Sequence, residues 1–201
     1  AEPEPGDQTR FLTTAASIAN QVFVPVALGG AIRSLRDAET YFQHGADKVV
    51  LNTLLWRAPA VVAEIAGTYG VQAVMASIDY NGLAEPRTVH MRGADAPQVQ
   101  LETWLGDVAA LGVGEILLNS VDRDGTGMGL DLGVMAAVPS QIHAPVVLMG
   151  GVGRNDHFGP GLELPGVSGV ATSNLFAFMG EGLSAARAKL MDAGLDMASW
   201  V

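Results

Sequence analysis

Two stretches, "VPVALGGAIR" at 24–33 and "APVVLMGGVGR" at 144–154, share one pattern: a proline, a short apolar run and a glycine pair. Counting 28 residues on from Pro25 reaches Thr53, at the end of "VVLNT", and 28 on from Pro145 reaches Ser173, at the end of "GVATS". Each hydroxyl residue closes an apolar run and precedes a helix-like stretch. Two successive units therefore recur at an offset of 120 residues, which is how a fold built by repeating one supersecondary pair shows itself in sequence. General likeness between any two strand–helix units is the competing explanation.

The runs around these stretches extend the pattern. "VFVPVAL" (22–28), "KVVLN" (48–52), "AVMASID" (73–79), "EILLNSV" (115–121), "PVVLM" (145–149) and "GVAT" (169–172) are mostly continuous rather than alternating. That is expected of parallel strands covered on both faces. Between them "SLRDAETYFQHG" has a Ser N-cap and stops at Gly45, "APAVVAEIAGTYG" stops at Gly70, and "QLETWLGDVAALG" stops at Gly112. The class is α/β, and the repeat points to the (β/α)8 TIM-barrel family with a half-barrel repeat. The order is pair, intervening pair, pair, so an eight-stranded barrel needs one more pair before residue 1. About twenty residues precede the first clear strand, and "AEPEPGDQ" reads as loop. The expectation is one partial TIM-barrel domain over 1–201, with about six βα units and without its first two strands.

Composition narrows the function. With 201 residues, 49% of them apolar, the chain can bury a core. No apolar run approaches the ~18 residues of a membrane span, and the start has neither a basic nor an apolar leader segment. The reading is a soluble, cytoplasmic protein. A formal charge of −10 leaves no basic stripe for nucleic acid. The absence of cysteine excludes thiolate metal sites and a Cys nucleophile. His44, His90, His143 and His157 lack ligand spacing, so no metal is expected, and no cofactor. "NSVDRDGTGMGLD" (119–131) begins like a calcium loop at Asp122, but its twelfth position is Gly133 where a bidentate Glu belongs.

In a barrel the ligand sits at the C-terminal ends of the strands. Those positions hold Gly29, Gly30 and Ala31; Asn52 and Thr53; Asp79; Ser120 through Thr126, with Asp124 and Gly125; Gly150 and Gly151; and Thr172 and Ser173. Gly-rich turns paired with hydroxyls suit phosphate, and two such pairs imply two phosphates, although glycines that only make turns would look the same. Asp79 and Asp124 follow neighbouring strands and are candidates for acid–base work. Asp122 beside Arg123 reads as a structural ion pair.

"GGAIRSLRDAETYFQHGADKVVLNT", "AVMASIDYNG", "LGVGEILLNSVDRDGTGMGLDL" and "VVLMGGVG" resemble the cyclase subunit of imidazole glycerol phosphate synthase (the HisF family), from about residue 22 to 178. The resemblance implies histidine biosynthesis, a glutaminase partner and an internal passage for ammonia. Ammonia then meets a bis-phosphorylated ribulosyl-formimino aminoimidazole carboxamide ribonucleotide and yields imidazole glycerol phosphate. By resemblance Asp79 matches a catalytic aspartate, and Asp124 the aspartate at the substrate's glycerol end. Asn52 and Thr53 match one phosphate site; Gly150, Gly151, Thr172 and Ser173 match the other. Lys48 and Glu115 match the charged ring at the ammonia entrance, and Asp47 a glutaminase-interface residue.

The sequence also departs from the family. The other catalytic aspartate belongs to strand one. Ala31 stands where a third glycine is usual, Arg92 stands near a phosphate position that is normally small or hydroxylated, and "RNDHFGPGLELPGVSG" lacks the usual helical pattern. "VVLNT", "ILLNSVDRDG" and the tail from Asn174 also resemble cyclase-like proteins of surface-polysaccharide pathways, which deliver ammonia to a nucleotide-linked sugar. A noncatalytic scaffold is the alternative of a different class. Two open strand edges would favour self-association.

Overall fold

The computed structural model describes residues 5–93, 95–173 and 182–197. The helix-like stretch expected after Ser173 falls at 174–181 and the end of the tail at 198–201, outside the described residues. The hydrogen-bonded strand order is β1 (Ala27–Gly29), β2 (Lys48–Leu51), β3 (Val74–Asn81), β5 (Glu115–Ser120), β6 (Val146–Met149), β7 (Val167–Ala171), with the short β4 (Thr88–Val89) antiparallel to β3. The pairs β1–β2, β2–β3 and β6–β7 are parallel. The class is therefore α/β, a partial TIM-barrel array, with the six strands that the repeat called for. The chain divides into two compact units, Ala1–Ser77 with Asp107–Ile116 and Ile78–Gly106 with Leu117–Val201.

In the first unit the N-terminal segment corrects the sequence reading. It forms helix α1 (Pro5–Ala19), although "AEPEPGDQ" reads as loop. Leu12 and Ala15 lie three apart and are buried, and the Phe11 ring packs 6.3 Å from that of Tyr41. One apolar stripe outweighs poor local propensity. The run at 22–28 contributes only its last two residues to β1, and Val22, Phe23 and Val24 are exposed. Pro25 has no N–H for a ladder. The next donor, Val26 N, gives its hydrogen bond to Asp47 Oδ2 at 2.7 Å.

Helix α2 (Leu35–Gln43) starts as read from sequence. Ser34 Oγ accepts from Asp37 N at 3.2 Å, while Asp37 Oδ2 accepts from Arg33 N at 2.9 Å. Helices α3 (Leu54–Arg57) and α4 (Pro59–Tyr69) follow β2. Phe42 of α2 and Tyr69 of α4 place their rings 4.3 Å apart. Val49, Val62 and Ile65 are fully buried here, each contributing about 1.5–3 kcal/mol by leaving water. In the second unit Leu101 and Leu105, in the first part of α5 (Leu101–Ala110), are buried, and α6 (Phe158–Leu162) and α7 (Gly182–Asp192) accompany β7.

Burial along the strands also differs from the expectation of two covered faces. In β3, Val74, Ala76, Ile78 and Tyr80 are buried while Met75, Ser77, Asp79 and Asn81 are half-exposed, and β5 alternates in the same way. A continuous apolar run hides this period of two, because Met75 and Leu117 are as apolar as their buried neighbours. The half-exposed face carries the polar residues at the strand ends.

Ala31 holds φ 53, the left-handed region that penalises any Cβ. The departure from a third glycine therefore has a physical cost. Ala31→Gly relieves about 1 kcal/mol of that strain after the added freedom of the unfolded chain is subtracted. Urea denaturation should show a rise of that order in unfolding free energy.

Candidate active site

Asp79 is the next-to-last residue but one of β3, half-exposed on the polar face. Asn119, at the corresponding end of β5, donates from Nδ2 to Asp79 Oδ1 at 2.9 Å. The chain then turns back through β4, with Tyr80 opposite Val89 and Asn81 opposite Thr88. His90 N donates to Asp79 O at 2.7 Å, and Asn81 Nδ2 lies 3.3 Å from His90 Nδ1. A carboxylate with one oxygen fixed by an amide is oriented for proton transfer or for binding a cationic centre. Sequence reasoning missed Asn119, whose period-two match to Asp79 becomes visible once β3 and β5 are known to be neighbours.

The loop after β5 begins as a tight turn, with Arg123 N and Asp124 N both donating to Ser120 O at 3.2 and 2.9 Å. Asp122 Oδ2 accepts from Gly82 N at 2.7 Å, and Arg123 Nη1 reaches Met128 O at 3.4 Å. The expected Asp122–Arg123 ion pair is thus replaced by two separate contacts to backbone, because adjacent side chains on a turn diverge. Asp124, Gly125 and Thr126 are exposed, and Thr126 Oγ1 donates to Arg123 O at 2.7 Å.

This loop rests on the glycine turn after β6. A Cβ on Gly150 would sit 2.6 Å from Ser120 O, one on Gly151 2.3 Å from Gly129 O, and one on Gly153 2.5 Å from Gly127 Cα. Gly129 N donates to Gly151 O at 2.7 Å. Close backbone approach therefore demands glycine at 150 and 151 whether or not a phosphate binds there. Thr172 and Ser173 directly follow β7, half-exposed and exposed.

The far end of the loop is held by a buried cluster that sequence reading did not find. Asp131 Oδ2 and Oδ1 accept from Arg87 Nε at 3.0 Å and Nη2 at 3.1 Å, Tyr80 OH donates to Asp131 Oδ2 at 3.2 Å, and Arg87 also pairs with Glu85. Arg87 and Asp131 are 3% and 8% exposed. Burial raises the Tyr80 phenol pKa and the neighbouring Asp131 charge raises it further. For Arg87 burial pulls the pKa down, but the hydrogen bond and charge of Asp131, with those of Glu85, more than compensate, so it is raised. The only sequence signal is an aspartate set between Leu130 and Leu132.

In the first unit Gly30 has φ 114, no heavy atom near its missing Cβ, and a carbonyl that accepts from Tyr41 OH. Thr53 precedes α3 with an exposed side chain that makes no capping bond, and Asn52 before it is half-exposed. At the other end of the strands Lys48 opens β2 and Glu115 opens β5, and the two form an ion pair. Asp47 is engaged with Val26 N. Arg92 lies exposed two residues beyond His90. Among the described residues no group of three or more His, Asp or Glu could hold a metal ion, and no helix is long and apolar enough to cross a membrane.

The sequence model for "Histidine biosynthesis protein" matches residues 5–180. The imidazole glycerol phosphate synthase subunit HisF of Pyrobaculum aerophilum is 36% identical over 194 residues, covering 96% of this chain and 76% of the relative. The HisF subunit of Chlorobium phaeobacteroides is 35% identical over 181 residues, 90% of this chain and 72% of the relative. A protein of Parasynechococcus marenigrum designated hisF2 is 38% identical over 182 residues, 90% and 68% of the two chains.

Two predictions follow from the buried cluster. Asp131→Ala leaves the buried Arg87 charge with Glu85 as its remaining carboxylate partner and should cost about 3 kcal/mol in urea unfolding, the low end for breaking a buried pair. A cost below about 1 kcal/mol would mean that the pair carries no structural weight. For Tyr80 the folded-state pKa lies above the unfolded value of about 10. Above pH ~10 the unfolded chain releases a proton that the folded chain keeps, so this contribution is full below pH ~10 and is lost as pH rises further. Tyr80→Phe should therefore flatten the loss of stability above pH ~10, read from urea midpoints along a pH series.

Proposed function

The chain belongs to the histidine biosynthesis protein family, among relatives that are subunits of imidazole glycerol phosphate synthase, and on that premise we propose that it is the cyclase subunit. It is an enzyme of the lyase/cyclase class. With ammonia it converts the bis-phosphorylated ribulosyl-formimino aminoimidazole carboxamide ribonucleotide to imidazole glycerol phosphate and the aminoimidazole carboxamide ribotide. The observation that carries this reading is Asp79, held by Asn119 at the ends of neighbouring strands inside the matched region. Histidine-pathway names among the relatives support this substrate over a nucleotide-linked sugar.

In this reading Asp79 works as acid and base on the reacting centre, and Asp124 in the exposed turn contacts the substrate's glycerol end. Gly30, Asn52 and Thr53 take one phosphate. Gly150, Gly151, Thr172 and Ser173 take the other, with Gly125 and Arg92 near the bound ligand. A substrate gripped at both phosphates gives up its freedom on binding, and the chemistry gains from that positioning. The Lys48–Glu115 pair, at the N-terminal ends of β2 and β5, guards the entry of ammonia from a glutaminase subunit that docks near Asp47. The whole region 1–201 acts as one partial barrel domain.

Ammonium salt replaces the glutaminase in the test, so no partner is needed. Steady-state turnover of the bis-phosphorylated ribonucleotide with ammonium should fall at least about 100-fold in Asp79→Asn. If a folded, unsubstituted chain that carries all eight strands ignores this substrate, the assignment fails.

A further inference from the structure

We propose that His90 is a further catalytic residue of this site, donating a hydrogen bond from Nε2 to the substrate beside Asp79. The inference rests on the cyclase reading and adds a residue to it.

The placement follows from register. The β3–β4 pair sets Tyr80 opposite Val89 and Asn81 opposite Thr88, so the next pair outward is Asp79 with His90. His90 N donates to Asp79 O at 2.7 Å, which continues the antiparallel pairing by one step. Residues directly opposite in such a pair project from the same face. Asn81, two residues from Asp79 along β3, shares that face as well. The 3.3 Å approach of Asn81 Nδ2 to His90 Nδ1 is the diagonal contact that this register requires. Asp79, Asn81 and His90 therefore form one polar patch, with Asn119 fixing the carboxylate.

The tautomer follows from the same contact. An amide nitrogen can only donate, so Nδ1 accepts and the ring proton of the neutral imidazole belongs to Nε2. His90 is half-buried, so part of the ring is open to a ligand. The other three histidines serve elsewhere or stand apart from the strand ends. His44 Nδ1 lies 2.7 Å from Thr40 O, His157 contacts Gly153 N and Arg154 Nε, and His143 lies in the segment before β6. A fixed donor beside the acid–base carboxylate suits a substrate whose reacting region develops negative charge as ammonia adds and the ring closes.

Two measurements test this. In the ammonium-driven assay, His90→Ala should lower kcat/KM for the bis-phosphorylated ribonucleotide by about 10- to 100-fold, mostly in kcat, with an unchanged urea midpoint. His90→Gln, which keeps a donor, should recover part of the loss. An unchanged kcat/KM in His90→Ala would overturn the proposal while leaving the cyclase reading intact. Absence of turnover in an unsubstituted chain that carries all eight strands would count against the cyclase reading itself. Nitrogen-15 NMR of the histidine rings gives an answer independent of turnover. The Nε2–H tautomer is expected for His90, with its resonance moving when the bis-phosphorylated ribonucleotide is added. An Nδ1–H tautomer, or a resonance that ignores the ribonucleotide when other site resonances move, would also overturn it.

Discussion

The second unit depends on one buried ion pair. Arg87 and Asp131 meet through two hydrogen bonds, with Tyr80 as a third partner of the carboxylate. Neither charge has more than slight access to water, so each needs the other, with Glu85 as a second carboxylate on Arg87. The pair joins the turn after β3 to the end of the loop after β5, and Asp122 on Gly82 N joins the same turn to the start of that loop. A segment rich in glycine and exposed residues is thereby fixed at both ends by one hairpin. Asp124 and Gly125, read as substrate contacts, lie between these two anchors and inherit their positions from this frame.

Much of this was legible in the sequence because it rests on local rules. The Ser34 cap, the glycine stops at 45, 70 and 112, and the strand-and-glycine repeat all appear in the structure. Local rules failed where partners far along the chain decide the outcome. α1 forms because Leu12 and Ala15 find a core, and β1 is short because Pro25 interrupts the donors and Asp47 takes the next one. The alternation in β3 was hidden by Met75, an apolar residue on the half-exposed face.

The site shows the same division. Asp79 was found from its place after an apolar run. Asn119 was not, because its meaning lies in a bond to a residue forty positions earlier. Arg87 and Asp131 were missed for the same reason, being forty-four apart. The glycines at 150 and 151 read as a phosphate turn from their place after an apolar run and their pairing with the hydroxyls of Thr172 and Ser173. Packing supplies a second reason for them that no composition count could have shown, since the backbone of another loop passes within contact distance.

The contact between the two glycine-rich segments has a consequence for anyone who would re-engineer this protein. Gly127, Gly129, Gly151 and Gly153 touch backbone to backbone, and the loop between Asp122 and Asp131 is anchored at both ends. Such a segment has no slack. Lengthening it by even one residue must either lift it off its neighbour or pull one anchor loose, so grafted peptides and reporter tags belong elsewhere on the chain.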